Sequence, residues 1–313
     1  MILNRRDFLK HSVTSAAAWV APAAITAMAQ PSGKKAKSGK TGGRLPLIDT
    51  NVHLFEWPFR DLRYAKTSAL VQKLRKHGVT EAWAGSFQAL FSKDIQAVNT
   101  RLVAECRQHG DGFLVPIGSV NPKWPDWEED LRVCHEEHRM RAIRLHPCYQ
   151  RFTLADPAFA SLLAKATERK LLVQIVLEME DPRVHHPALQ APSVTPAGLA
   201  PLLAKLPNAR VQLLGDALGW TRSEETRPLL TAKNVVHDIS SIEGVGMVGR
   251  LITGKAEGAT GKFSVERFAF GSHAPYYPVE SALLKLFEFP LSEEQLQAIM
   301  WGNSRRILGA AKS

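Results

Sequence analysis

The chain has 313 residues, of which 45% are hydrophobic and 22% are charged, and it contains three cysteines. These values are typical of a folded globular protein of enzyme size. They exclude a disordered chain, a collagen-like repeat and a small disulfide scaffold. The net charge is +10, but residues 1–44 carry eight basic side chains against one acidic one, which leaves +3 for residues 45–313. A nucleic-acid-binding protein would carry its basic residues on the folded part, so no nucleic-acid partner is expected.

The first residues have the features of an export signal. The pair Arg5 and Arg6 precedes Phe-Leu-Lys, an alanine-rich apolar stretch covers 13–25, and an Ala-Met-Ala cleavage pattern follows. Residues 1–29 therefore resemble a twin-arginine signal peptide, which implies export to the periplasm by the twin-arginine translocase; the alternative is a basic N-terminal helix. The apolar stretch is too short and too rich in alanine for a stable membrane anchor. Residues 30–44, rich in Lys, Gly and Ser, are predicted to form a flexible basic linker.

From residue 45 onward, short apolar runs alternate with amphipathic stretches of helix length. The predicted strands, each apolar enough to be covered on both faces, are 45–50, 80–85, 112–118, 141–146, 171–177, 209–215, 234–239 and 266–271. The predicted helices are 66–77, 93–109, 126–139, 156–169, 195–206, 222–231, 242–252, 278–288 and 292–301. Eight strand–helix units of this size predict an α/β fold, a single-domain (β/α)₈ TIM barrel over residues 45–313. A doubly wound open sheet is the alternative, but no glycine-rich phosphate turn follows any predicted strand.

The functional residues of such a barrel lie at the carboxyl ends of the strands. Three histidines lie at these positions: His53 after the first predicted strand, His146 after the fourth and His273 after the eighth. Asn51 shares the parity of His53, so both side chains should point the same way in an extended segment. Other polar side chains at the predicted mouth are Arg144, Asp216 and Asp238. A lone histidine is usually a hydrogen-bonded structural residue, but a convergent set of buried polar groups indicates a candidate site.

The loops after the strands offer two further candidates. Arg183 would bind a substrate carboxylate with two hydrogen bonds, or else form a surface ion pair with Asp181 or Glu180. Tyr276 either lines a substrate pocket or serves only in packing. Both residues are retained as candidate substrate-binding groups.

Five segments resemble the amidohydrolase superfamily, in particular its amidohydrolase-related group that contains decarboxylases and lactonases. They are 47–53 (Leu-Ile-Asp-Thr-Asn-Val-His), 115–122 (Val-Pro-Ile-Gly-Ser-Val-Asn-Pro), 143–147 (Ile-Arg-Leu-His-Pro), 270–275 (Phe-Gly-Ser-His-Ala-Pro) and 302–308 (Gly-Asn-Ser-Arg-Arg-Ile-Leu). The resemblance covers nearly all of the chain after the linker. It implies a TIM barrel whose site lies at the mouth.

The resemblance also implies a divalent metal held by a His-x-His pair on strand one, histidines on strands five and six, and an aspartate on strand eight. In this sequence Asn51 replaces the first histidine of the pair, and only His53 fits. Val176 falls near the strand-five position, and a valine side chain cannot bind a metal. Asp216 falls near the strand-six position. His273 stands where the family has the aspartate that handles the proton of the attacking water.

Two chemistries therefore stay open at the sequence level. One divalent metal, zinc or manganese, would be held by His53 and His273, with His146 or Asp216 as a third donor. Without a metal, His273 would take a proton from water, while Arg144 and His53 would polarise a carbonyl group.

The resemblance favours an exported hydrolase that acts on a small ester, lactone or related carbonyl substrate. Its candidate catalytic residues are His273, His53, Arg144 and Asp216, and its candidate substrate-binding residues are Asn51, His146, Arg183 and Tyr276. The first alternative is a non-catalytic barrel that binds a small molecule or a partner after losing its metal site. The second is a metal-dependent decarboxylase of an aromatic acid.

Overall fold

A computed structural model describes residues 45–110, 112–189, 191–219, 223–257 and 262–309. The predicted signal peptide, 1–29, and the predicted linker, 30–44, lie outside the described residues. The compact unit Pro46–Ser313 contains every described strand and helix. Within the described part of the chain, no helix combines the length and the apolar character that a membrane crossing requires.

All neighbouring strands pair in parallel and close into a barrel. The strands are β1 Ile48–Leu54, β2 Glu81–Ser86, β3 Leu114–Pro116, β4 Gly118–Ser119, β5 Ala142–Leu145, β6 Leu172–Val176, β7 Arg210–Leu214, β8 Val235–Asp238 and β9 Phe268–Ala269. They are ordered β1-β2-β3 and β4-β5-β6-β7-β8-β9. β3 and β4 are two parts of one barrel strand, because Ile117 between them donates its N–H to Ala84 O (2.8 Å). The barrel closes where Thr50 N–H bonds Phe270 O (3.0 Å) and His53 N–H bonds Ala274 O (2.9 Å). The predicted single-domain (β/α)₈ barrel is therefore confirmed.

The helices surround this barrel in the expected order. Their bounds are Thr67–Lys76, Ile95–Gly110, Trp127–Arg132, Pro147–Gln150, Pro157–Glu168, Leu199–Lys205, Met247–Thr253, Val279–Lys285, Glu293–Gln297 and Asn303–Leu308. Local chemistry sets where several of them begin. The Asp156 carboxylate accepts the Ala158 N–H (2.9 Å) at the start of Pro157–Glu168, and Ser292 forms a capping box with Gln295.

Several predicted elements differ from the structure in their bounds, among them the first strand and two helices. The first strand runs to Leu54 rather than ending at residue 50, because its pairing with β2 continues to Leu54 and Ser86. The predicted helix 242–252 begins only at Met247, since Gly246 adopts a left-handed φ of 67°. Described residues of the predicted helix 222–231 contain a 3₁₀ turn, Arg227–Leu230.

The barrel interior is layered from bottom to mouth. Its floor is apolar, with about one side chain from each strand, and Ile307 and Leu308 of the last helix cover it from below. The floor side chains on the strands and between them are Ile48, Trp83, Ile117, Ala142, Leu172, Val236 and Ala269. A second apolar core packs helices against β5, β6 and β7, and includes Phe159, Leu163 and Leu203. The polar side chains therefore lie above a closed apolar floor, toward the carboxyl ends of the strands.

Candidate functional site

A hydrogen-bonded polar layer lies directly above the apolar floor. It consists of Thr50, Arg144, Gln174 and Gln212, all fully buried. Gln174 Nε2 donates to Gln212 Oε1 (2.9 Å), and Gln212 Nε2 donates to Thr50 Oγ1 (2.7 Å). Arg144 Nε donates to Gln174 Oε1 (2.8 Å). Each polar side chain is thus satisfied by another member, as burial of polar groups requires.

The guanidinium of Arg144 is held by groups of the protein on every side. Nη1 donates to Val52 O (2.9 Å), and Nη2 donates to Thr50 O (3.3 Å) and Trp83 O (3.2 Å). Burial lowers the pKa of Arg144 to about 9, opposed by attraction to Asp238 and Asp49, so the group is a cation at neutral pH. Because its donors are used within the protein, Arg144 does not point a free N–H at the mouth. The expectation that it polarises a substrate carbonyl directly is therefore corrected.

His53 lies next to this cation on β1. Arg144 Nη1 is 3.1 Å from His53 Nε2, and because arginine can only donate, Nε2 must accept and the ring proton must be on Nδ1. Burial, together with the charge of Arg144, lowers the pKa of His53 well below its usual range. The ring stacks on Phe87 with centroids 4.9 Å apart, and its Nδ1 has no hydrogen-bond partner among the described residues. His53 is therefore a neutral ring that presents an N–H.

His273 has the opposite character. Its Nε2 lies 2.8 Å from the carbonyl oxygen of Met179, which can only accept, so the proton is on Nε2 and Nδ1 carries a lone pair. Nδ1 is buried without a described partner, and burial lowers the pKa of His273 to about 4. The backbone at His273 has a φ of 59°, a left-handed conformation that residues other than glycine rarely adopt. The ring of His273 lies 5.3 Å from that of His53, edge to face.

His146 completes the group of histidines. Its ring centroid is 6.1 Å from that of His53, and neither ring nitrogen has a described hydrogen-bond partner. Burial, aided by the positive charge of Arg144, lowers its pKa to about 3. Three neutral imidazole rings therefore converge at the carboxyl ends of β1, β5 and β9. The proton positions of two of them, His53 and His273, are defined. We call His53, His146 and His273 the histidine cluster.

Aromatic side chains cover the histidine cluster, whose members are at most 1% exposed. Trp57 is at the centre of this cover, with its ring 5.3 Å from Phe87, 5.4 Å from Tyr276 and 6.2 Å from Tyr149. Trp57 Nε1 and Tyr149 Oη are buried without a described partner. A site this enclosed strengthens electrostatic interactions, but a substrate would have to displace part of the cover.

The predicted substrate-binding residues have different surroundings. Tyr276 belongs to the cover, 5.2 Å from His273, and the guanidinium of Arg60 lies 4.3 Å above its ring. Asn51 is buried, donating Nδ2 to Asp238 Oδ2 (3.0 Å), while its Oδ1 has no described partner.

Two other predicted site residues have partners outside the histidine cluster. Arg183 is 81% exposed and bonds Asp181 through Nε (2.9 Å), which is the surface ion pair, so the predicted carboxylate clamp is corrected. Asp216 is buried, with Oδ2 2.8 Å from His237 Nδ1 and Oδ1 accepting the Leu218 N–H (2.8 Å).

Sequence reasoning missed three parts of the site. Gln174 and Gln212 are the central residues of β6 and β7, each between two apolar neighbours, and a polar residue at such a position was the available signal. Trp57 follows β1 in a segment without regular periodicity, so the sequence carried no signal for it.

The sequence profile of the amidohydrolase family matches residues 48–310. The chain belongs to the amidohydrolase family. A search among curated proteins finds none that matches it.

Solved structures similar to this amidohydrolase include several decarboxylases. The 5-carboxyvanillate decarboxylase from Sphingomonas paucimobilis has a TM-score of 0.65 and 13% identity, covering 84% of this chain and 99% of that one. The 2,6-dihydroxybenzoate decarboxylase from Rhizobium has a TM-score of 0.63 and 13% identity, with coverage of 84% and 98%. A 5-carboxyvanillate decarboxylase from Novosphingobium aromaticivorans, with bound manganese, has a TM-score of 0.62 and 13% identity, with coverage of 88% and 99%. At these identities the likeness concerns the fold.

Whether this site could hold a metal such as the manganese of that neighbour depends on which of its donor atoms are free. A metal on His53 Nε2 would have to displace the Arg144 guanidinium, and a metal on Nδ1 would force an Nε2–H to face an arginine N–H. Asp49 and Asp238, whose charges act on Arg144, are also in use: Asp49 bonds Ser272, while Asp238 accepts from Asn51 and from Gly215 N–H. Among the described residues, no group of three His, Cys, Asp or Glu side chains is arranged to hold a metal. His53 therefore does not fit as a ligand of a divalent metal, and the described residues offer no complete ligand set around it.

Proposed function

We propose that this amidohydrolase hydrolyses a small ester or lactone at the histidine cluster without a bound metal. The observation that carries the proposal is the pair of ring nitrogens of opposite character, an N–H on His53 and a lone pair on His273, on rings 5.3 Å apart. Hydrolysis of a carbonyl group needs both a hydrogen-bond donor for the developing oxyanion and a base for water. An ester or lactone suits such a site because its leaving group is better than that of an amide.

In the proposed mechanism, His53 Nδ1–H donates a hydrogen bond to the substrate carbonyl oxygen. His273 Nδ1 removes a proton from water as the water oxygen bonds the carbonyl carbon, and negative charge develops on the carbonyl oxygen. When the tetrahedral intermediate collapses, the carbon–oxygen bond to the leaving group breaks, and His273 returns the proton to the leaving oxygen. Enclosure by the aromatic cover strengthens the hydrogen bond from His53 at the stage where charge is largest.

Arg144 and Asn51 support this arrangement in different ways. Arg144 fixes the proton of His53 on Nδ1 and acts through that ring, without touching the substrate. Asn51 Oδ1 is an unpartnered acceptor, available to a donor group on the substrate.

Decarboxylation of an aromatic acid is the second candidate. Two features support it: the ring-rich cover around Trp57, and the decarboxylases among the structural neighbours. Against it stands the donor set at His53, which does not fit the manganese that one of those neighbours contains.

The test uses purified protein with a panel of aromatic and aliphatic esters and lactones, in the presence of a chelator. We expect hydrolysis that resists the chelator and that His273→Ala reduces by about 10²-fold or more, the usual contribution of a general base. His109→Gln is the matched control, since that histidine lies 3.6 Å from Glu105 on its own helix and outside the histidine cluster. Carbon dioxide release from aromatic acids only after manganese addition would establish the decarboxylase instead. Ligand binding with no turnover in either assay would establish the non-catalytic barrel.

We also propose that the chain is exported to the periplasm by the twin-arginine translocase, on the strength of the motif around Arg5 and Arg6. Cell fractionation should find a processed chain in the periplasm. Replacing both arginines by lysine should keep the chain in the cytoplasm, whereas Arg44→Lys in the predicted linker should have no effect. An unchanged distribution of the double variant would refute this route.

A further inference from the structure

We infer that Arg144 serves as a built-in cation that keeps a divalent metal away from His53 and holds this histidine as its Nδ1–H tautomer. Arg144 is thus a positioning residue, acting on the site through His53. This role of Arg144 in ion binding and in the position of the His53 proton is independent of the reaction that the site catalyses.

The first support is the completeness of the guanidinium's hydrogen bonding. Its five N–H groups face five acceptors at 2.8–3.3 Å: Val52 O, Thr50 O, Trp83 O, Gln174 Oε1 and His53 Nε2. These acceptors come from β1, β2 and β6, while Arg144 is on β5. Moving the guanidinium aside for a metal would leave several buried acceptors unsatisfied at once, which is unfavourable because none of them would gain a hydrogen bond from water in exchange.

The second support is the space made for the guanidinium by Gly85. This residue lies opposite His53 in the parallel pairing of β1 with β2. A Cβ at residue 85 would lie 2.7 Å from Arg144 Nη1, a distance that no real side chain tolerates. The absence of a side chain on β2 therefore lets the guanidinium reach His53 Nε2.

The third support is the charge in the barrel interior. Asp49 and Asp238 are the buried carboxylates whose attraction stabilises the Arg144 cation. Neither is turned toward the histidine cluster as a free ligand. Asp49 accepts from the backbone N–H of Ser272 (2.9 Å), and Asp238 accepts from Asn51 Nδ2 (3.0 Å). A dication added beside Arg144 would meet a like charge, and neither Asp49 nor Asp238 would be free to bind it, which opposes its binding.

Two measurements on the native chain test the inference without any activity assay. In a chain labelled with ¹⁵N-histidine, the spectrum should assign a proton to His53 Nδ1 and a lone pair to Nε2. The same spectrum should be unchanged by added manganese or zinc, and metal analysis after gel filtration should find no stoichiometric metal. A proton on Nε2, or one retained metal per chain that His53→Gln abolishes, would overturn the inference.

Arg144→Met supplies the variant test, with Arg141→Met as its control. Arg141 is on the same segment but bonds carbonyl groups of Leu308 and Gly309 at the opposite end of the barrel. The Arg144 variant should lose the fixed Nδ1–H signal of His53, and the Arg141 variant should keep it. If Arg144→Met retains the wild-type signal, Arg144 does not set the tautomer. If that variant does not fold, the measurements on the native chain still decide the matter.

Discussion

Gly85→Ala is the smallest change that should disturb the centre of the candidate site. The added methyl carbon would lie 2.7 Å from Arg144 Nη1 and 3.1 Å from both Cδ and Cζ. The guanidinium is bonded on all sides, so it can yield only by giving up hydrogen bonds. Overpacking of this kind costs about 1–3 kcal/mol, and loss of one bond to a charged group costs about 1.5–3 kcal/mol. We therefore expect the free energy of unfolding to fall by about 3–5 kcal/mol.

Urea denaturation followed by circular dichroism measures this change, with Gly219→Ala as the control. A Cβ at residue 219 would meet no atom of a described residue within 4 Å, so the control should stay within about 0.5 kcal/mol of the wild type. The folded fraction of Gly85→Ala should also show a mixture of His53 tautomers in its ¹⁵N spectrum. Wild-type stability with an unchanged His53 signal would refute the packing argument, because it would mean that the guanidinium has room to spare.

Three further predictions concern protonation and access. If His273 is the base, kcat/KM should rise with pH through an apparent pKa of about 4 and stay flat toward neutrality; a limb near 6.5 would contradict its burial. The unfolded chain protonates His273 and His146 below about pH 6.5, but the folded chain protonates them only near pH 4 and 3. These two groups should therefore lower the unfolding free energy, measured by urea titration, by about 4 kcal/mol between pH 7 and 5. Asp49, with its pKa raised to about 7, opposes this trend, since its contribution is present at low pH and lost as the pH rises through 7; a net gain in stability on acidification would show that Asp49 dominates. Trp57→Ala should speed modification of the histidine cluster by diethyl pyrocarbonate, read by mass spectrometry, whereas the 48% exposed Phe91→Ala should not; equal rates would show that Trp57 does not cover the site.

Much of the fold could be predicted because strands that are covered on both faces have short, continuously apolar sequences. β6 and β7 fall within one or two residues of the predicted strands 171–177 and 209–215. The prediction was less accurate for β1, where Asn51 and His53 resemble loop residues. A barrel interior accepts such polar side chains within a strand when other strands supply their partners, and a single sequence does not display those partners.

The candidate site was predictable in position but not in its chemistry. The closeness of His53 and His273 follows from barrel closure, which makes the first and last strands neighbours. The role of Arg144 depends on what its N–H groups meet, namely main-chain carbonyls of Thr50 and Trp83 that no side-chain pattern reveals. The same limit applied to Arg183, whose ion pair with Asp181 was only one of two readings of the sequence.

The proton position on His53 follows from the hydrogen-bonded donors of the polar layer. Gln212 donates to Thr50, Gln174 donates to Gln212, and Arg144 donates to Gln174 and to His53. Because an arginine cannot accept, His53 must keep its proton on Nδ1, on the side away from Arg144. Fixing a proton in this way costs nothing at the moment of reaction, since the hydrogen bonds are formed when the barrel folds. Substitutions deep in the polar layer should therefore alter the histidine cluster before they alter the barrel.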